Sequence, residues 1–291
     1  MNPSSSTRTL SDPYLDLLKR CLTADLYDES AWQVIQLKKL GAGDLRHPLK
    51  LVRDLVRNAL FRLTPRTDFA LVRRIPFKPE LRAQGIDWPM FGYSMIGLHR
   101  LDNIQQCVAD IVANNVPGDL IEAGVWRGGV TIFMRALLKH HQITDRVVWA
   151  ADSFEGLPRP NPAVSGMPRE QDFSHMGYLK VSLEQVQANF RRFGLLDDQV
   201  KFLKGWFKDT MPAAPIDRLA LLRLDADMYE STMDVLGPLY PKVSAGGYVI
   251  IDDYHTWDGC RKAVDEFRAA HGITAELRQI DWASVYWQVP P

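Results

Sequence analysis

Asp225, Asp227, Asp252 and Asp253 carry the strongest chemical signal in this chain. The first two close the run LALLRLDAD (219–227), and the last two close GYVIIDD (247–253). Short apolar runs of this kind predict buried strands of a parallel sheet. In an open α/β sheet, ligands bind beyond the carboxyl ends of the strands. Two neighbouring strands would therefore deliver all of these carboxylates to one place. Clustered carboxylates resist joint ionisation. A hard cation is the simplest compensation, and an all-oxygen ligand set suits Mg²⁺. His255 stands two residues beyond Asp253 and could serve as a base, although a lone loop histidine is more often a structural hydrogen-bonding residue.

A second constellation precedes it. GDLIEAGVWRGG (118–129) sets Gly124, Gly128 and Gly129 between an apolar run and a helical pattern. Glycines there let a ligand approach the backbone, and the helix N-terminus offers free N–H groups. The spacing is not G-x-G-x-x-G, and Glu122 precedes the turn, so a cationic ligand fits better than a pyrophosphate. Asp152 ends the next apolar run, RVVWAAD (146–152), where an acid can hold both hydroxyls of a ribose. The glycine turn alone would fit any α/β protein. Glu122, Gly124 and Asp152 together point to a positively charged nucleoside, S-adenosylmethionine.

Strands and helices must alternate to position these groups, and from about residue 98 they do. Helical patterns are predicted over 98–114, 130–141, 182–194, 231–243 and 260–272, and strands over 119–124, 146–152, 200–205, 219–227 and 247–253. AELRQID (275–281) and ASVYWQV (283–289) are joined by almost nothing, so they must run antiparallel. The expectation is a doubly wound α/β sheet with one reversed strand near its terminal edge. Before it, residues 1–11 read as disordered. A helix starts near Asp12–Pro13, with Leu15, Leu18 and Leu22 on one face. Residues 31–66 read as one or two amphipathic helices with a basic, solvated face, and 67–94 as a loop or lid.

The totals are those of an ordinary globular chain: 291 residues, 46% hydrophobic, with Lys+Arg and Asp+Glu equal at 35 each. Nothing global points to nucleic acid. No apolar stretch approaches the roughly 18 residues that span a bilayer, and the start lacks the apolar core of a signal peptide. Three scattered cysteines suggest reduced thiols and a cytoplasmic setting.

The segments PYLDLLKRCLTADLY (13–27), FGYSMIGLHRLDNIQ (91–105), DLIEAGVWRGGVTIFMRA (119–136), ADSFEGLP (151–158), KGWFKDTMP (204–212) and LRLDADMYESTMDVLGPLYPKVSAGGYVIIDDYHTW (222–257) resemble the macrocin O-methyltransferase family, whose members methylate sugar hydroxyls of macrolide and aminocoumarin antibiotics. The resemblance covers the first helix and nearly everything after residue 90. It implies a Rossmann-like class I methyltransferase domain at 95–291 behind an N-terminal helical lid at 1–94. The implied cofactors are S-adenosylmethionine and Mg²⁺, with Asp225, Asp252 and Asp253 as ligands of the ion and Asp227 as general base. Met95, Ser153, Trp206, Lys208 and Asp225 join Glu122, Gly124 and Asp152 around S-adenosylmethionine. The implied partner is a small sugar-bearing acceptor, and a homo-oligomer is compatible with the family. A catechol-type metal-dependent O-methyltransferase and a non-catalytic S-adenosylmethionine-binding protein are the competing readings. The DADMYEST and GWFKDT segments favour the sugar-directed family, and the intact carboxylates argue for catalysis.

Overall fold

The computed structural model describes residues 12–26, 31–34, 52, 55, 56, 59, 72–165 and 172–290. Its centre is a seven-stranded sheet in the order β5-β4-β3-β6-β7-β9-β8. The strands are β3 (Asp119–Ala123), β4 (Val148–Asp152), β5 (Val200–Lys204), β6 (Leu219–Leu224), β7 (Val243–Ile251), β8 (Arg278–Gln279) and β9 (Val285–Gln288). Strands β3 to β7 pair in parallel, and β9 runs antiparallel to both β7 and β8. This is the doubly wound sheet with a reversed strand that the alternating pattern predicts.

Successive strand residues face opposite sides of the sheet, and two apolar cores result. Leu120, Ala150, Leu221 and Ile250 pack with Ile104 of helix Gly97–Ala113, Leu137 of Gly129–His140 and Phe190 of Leu183–Arg192. On the other face, Ile121, Trp149, Leu222 and Ile251 pack with Leu236 of helix Tyr229–Leu239 and Phe267 of Asp258–Ala270. The chain winds outward from β3 to β4 and β5, then returns to β6 on the other side of β3. The order of winding reverses between β3 and β6, and the glycine turn and the first acidic run end there.

The N-terminal region departs from the sequence pattern in two ways. Helix Pro13–Leu22 forms as expected, with the Asp12 carboxylate accepting from the backbone N–H groups of Tyr14 and Leu15. Its Leu15, Leu18 and Leu22, however, sit in the same core as Ile104 and Leu137, and Lys19 bonds Asp102 at 2.5 Å. This helix belongs to the body of the fold. Within the stretch expected as amphipathic helix, Ala31–Val34 forms β1, paired antiparallel with β2 (Val72–Ile75). A partner some forty positions away leaves no local periodicity to read. Positions 52, 55, 56 and 59 are helical. The expected disorder at 1–11 and the rest of 35–71 lie outside the described residues.

Leu22 is fully buried, so we expect Leu22→Ala to lower unfolding stability by about 2–5 kcal/mol. Denaturant titration measures this, and a change near zero would return the helix to a peripheral role.

Candidate active site

A cavity of about 570 Å³ opens at the carboxyl ends of β3, β4, β6 and β7. That volume falls within the range typical of small-molecule sites. Its floor is laced by backbone. Gly124 N–H donates to the Ala151 carbonyl and Asp225 N–H to the Ala123 carbonyl, each at 2.8 Å. Gly124 has φ +90°, and a Cβ there would lie 1.9 Å from the Asp225 carbonyl oxygen. Only glycine lets the β3 turn pass this close to the β6 turn. Trp126, Phe154 and Asp227 also hold positive φ, so three loops around the cavity carry strained backbone.

On the β4 side, Asp152 is held by four donors. One oxygen accepts from Val125 N–H (2.9 Å) and Trp126 N–H (3.3 Å), the other from Phe154 N–H (2.7 Å) and the Ser153 hydroxyl (3.3 Å). These bonds fix the carboxylate between two strand ends. Burial nevertheless pushes its pKa up from the ordinary carboxylate range, with the backbone N–H groups working against that shift. Trp206, which starts the short helix Phe207–Thr210, lines this side together with Lys208 and Met95.

On the β6–β7 side the acids gather as the sequence predicts. Leu224 and Ile251 are paired, so Asp225 and Asp252 leave their strands side by side. Carboxylate oxygens of Asp225, Asp227 and Asp253 lie within 4.8 Å of one another. Burial, followed by repulsion from Asp252, pushes Asp225 up to about 6. Asp227 and Asp253 are raised well above the ordinary range by burial and by their acidic neighbours.

Two buried arginines hold this cluster from beneath. Arg223 faces Glu122 in the sheet register and shares its side of β6 with Asp225. One guanidinium bonds Glu122 at 2.6 Å, Asp225 at 3.1 Å and Asp252. Arg100 takes the other oxygen of Asp252 at 2.5 Å and Asp281 at 2.7 Å. Both oxygens of Asp252 therefore face guanidinium groups. Sequence reasoning missed both arginines. Arg223 had a signal, as a lone cation inside an apolar run; Arg100 had none, since its target lies 152 positions away.

Met95, Gly124, Asp152, Ser153, Trp206 and Lys208 all line the cavity, as do the four aspartates. Two expected residues do not. Glu122 is sealed beneath the β3 turn as the counter-ion of Arg223, and burial pushes its carboxyl up to about 8 against the pull of that arginine. His255 is exposed and turns away, with its ring edge-on to Tyr254 and 3.5 Å from Arg261. That orientation takes His255 away from the acids it was expected to serve as a base. Aromatic side chains wall the rest of the cavity. Trp88, Trp126, Phe173, Trp257 and Trp282 line the same cavity.

Comparison with known proteins gives a consistent picture. Residues 11–289 match the family model described as macrocin O-methyltransferase. The match runs through residues 28–90, where the sequence alone offered no resemblance. Demethyldecarbamoylnovobiocin O-methyltransferase of Streptomyces niveus is 54% identical over 73% of this chain and 81% of its own length. Mycinamicin III 3''-O-methyltransferase of Micromonospora griseorubida is 49% identical over 75% and 87%. The solved structure of the O-methyltransferase NovP superposes with a TM-score of 0.76 at 44% identity, covering 96% of this chain and 99% of that one. Among the described residues, no helix is long and apolar enough to cross a membrane.

Proposed function

Because the chain belongs to the macrocin O-methyltransferase family, and is thus an S-adenosylmethionine-dependent O-methyltransferase, we propose that its acceptor is a sugar hydroxyl of a glycosylated natural product and that a divalent cation, Mg²⁺, takes part. The observation that carries this reading is the single cavity joining the β3–β4 turns to the acidic ends of β6 and β7. Three relatives support the acceptor class. Besides the two above, one half identical to this chain is named as a 4'-O-methyltransferase of a rhamnosyl tetracenomycin, from Streptomyces olivaceus.

The residues fit both groups. On the β4 side, Asp152 would hold the ribose, Trp206 would pack on adenine, and Met95 would close over the methionine end. Glu122 supports this side from below through Arg223. For the cation, the clustered oxygens of Asp225, Asp227 and Asp253 are all hard ligands, and their raised pKa values are what a divalent ion relieves. We assign the ion to Asp225, Asp252 and Asp253. Asp252 serves through the lone pairs its arginines leave, since each carboxylate oxygen accepts more than one bond. When bound, the ion lowers the pKa of a coordinated hydroxyl, as it does for water. Asp227 then takes the proton of the reacting hydroxyl, while the cavity holds acceptor oxygen, methyl and sulfur in line. One observation favours a second reading, in which Asp227 is itself a ligand: it groups with Asp225 and Asp253.

The function is tested by methyl transfer from labelled cofactor to demethyldecarbamoylnovobiocin, mycinamicin III, the rhamnosyl tetracenomycin and a plain catechol. We expect turnover of at least one glycoside and none of the catechol; the reverse pattern overturns the reading. On the cofactor side, Asp152→Ala loses charge-assisted hydrogen bonds to the ribose. The expected loss of S-adenosylmethionine affinity is about tenfold to hundredfold by calorimetry. Unchanged affinity in a folded variant removes Asp152 from the cofactor site.

A further inference from the structure

The wall of the cavity nearest the acids is aromatic. Trp257 and Phe173 meet edge to face, with ring centroids 5.3 Å apart and planes at 89°, and both line the cavity. Trp257 is tied to the acid cluster by its own backbone. Its N–H donates to the Asp253 carbonyl at 3.0 Å, and the neighbouring Thr256 hydroxyl reaches the same carbonyl at 3.2 Å and the Asp253 carboxylate at 3.4 Å. The backbone that carries the indole is therefore tied to Asp253. It is only half-buried, so it presents surface to the cavity as well as to the core behind it.

We propose that Trp257, backed by Phe173, is the platform on which the sugar ring of the acceptor stacks. This rests on the sugar reading above. A hydroxyl placed at Asp227 and Asp253 carries its ring along with it. The β3–β4 side is walled by Gly124, Asp152 and Trp206, so the ring must turn toward the β7 side, where Trp257 and Phe173 stand. One face of a pyranose is a sheet of C–H groups, apolar and faintly positive. An indole offers the largest complementary face, with negative π density. The perpendicular phenyl ring of Phe173 closes the corner and limits how the sugar can rotate on that face. Such a corner selects which ring hydroxyl points at Asp227, without any hydrogen bond to the others.

The test uses the full-length enzyme and the same glycosides. Trp257→Leu should raise the acceptor KM about threefold to tenfold, the loss expected for a stacked aromatic contact. The effect should fall on KM rather than kcat, with S-adenosylmethionine affinity unchanged by calorimetry. Trp257→Phe should restore most of the affinity, because it keeps an aromatic face. Phe173→Leu should raise KM less and yield product methylated at more than one ring position. Should Trp257→Leu fail to fold, Phe173→Leu, which lies in a loop, decides the matter by its KM and product pattern. Unchanged KM and a single product in these variants overturn the platform while leaving the sugar reading intact. A wild-type enzyme that methylates no glycoside overturns both.

Discussion

Asp227→Asn is expected to lower turnover by about 10²–10⁴-fold, the range for a positioned general base, with little change in affinity for cofactor or cation. The substitution keeps the size of the side chain and removes its ability to accept a proton. Burial and the neighbouring acids Asp225 and Asp252 raise the Asp227 carboxyl well above its ordinary range. A base must be ionised to act, so the wild-type rate should rise with pH through one ionisation that the Asn variant lacks. Mn²⁺ affinity, read by electron paramagnetic resonance, distinguishes the two readings of this residue. Affinity retained in Asp227→Asn and lost in Asp253→Asn supports a base. Affinity lost in both makes Asp227 a ligand. His255→Ala should keep near-normal turnover, since that ring lies 3.5 Å from Arg261; loss of turnover there, with Asp227→Asn active, would transfer the role to His255.

Chelation should have a comparable effect. We expect EDTA to abolish turnover and Mg²⁺ to restore it. S-adenosylmethionine affinity survives the treatment, because Asp152 and Trp206 stand at the β4–β5 end of the sheet and the acid cluster at the β6–β7 end. The two arginines are the reason the apo site should stay folded. With no ion bound, Arg223 still ties Glu122, Asp225 and Asp252, and Arg100 ties Asp252 to Asp281. Turnover that persists in full in chelated enzyme removes the cation from the mechanism.

Much of this was legible in the residues. The five parallel strands could be read because each is a short apolar run ending at a glycine or an acid, and the helices because their apolar residues recur every three or four positions. Asp225 and Asp252 could be placed together because parallel neighbours deliver their ends to the same edge. What stayed hidden depended on contacts between distant positions. The partner of Ala31–Val34 is Val72–Ile75, and no short-range pattern links them. The burial of helix Pro13–Leu22 in the main core follows from Leu22 meeting the sheet-side helices, which its own amphipathicity leaves open. Glu122 seemed free to meet a ligand because Arg223, its counter-ion, comes from another strand. His255 seemed near the acids because it is near in sequence, whereas the turn after Asp253 rotates the ring outward.

The central claim is that the acceptor sugar and the cation share the β6–β7 end of one cavity, with the cofactor lying beside them toward β4. The most direct test is paramagnetic broadening by Mn²⁺ in enzyme saturated with S-adenosylhomocysteine and demethyldecarbamoylnovobiocin. Sugar protons flanking the methylated oxygen should broaden most, those of the aglycone less, and Asp253→Asn should abolish the effect. Broadening that is strongest on the aglycone, or that leaves the sugar protons untouched while the glycoside is bound, would contradict it.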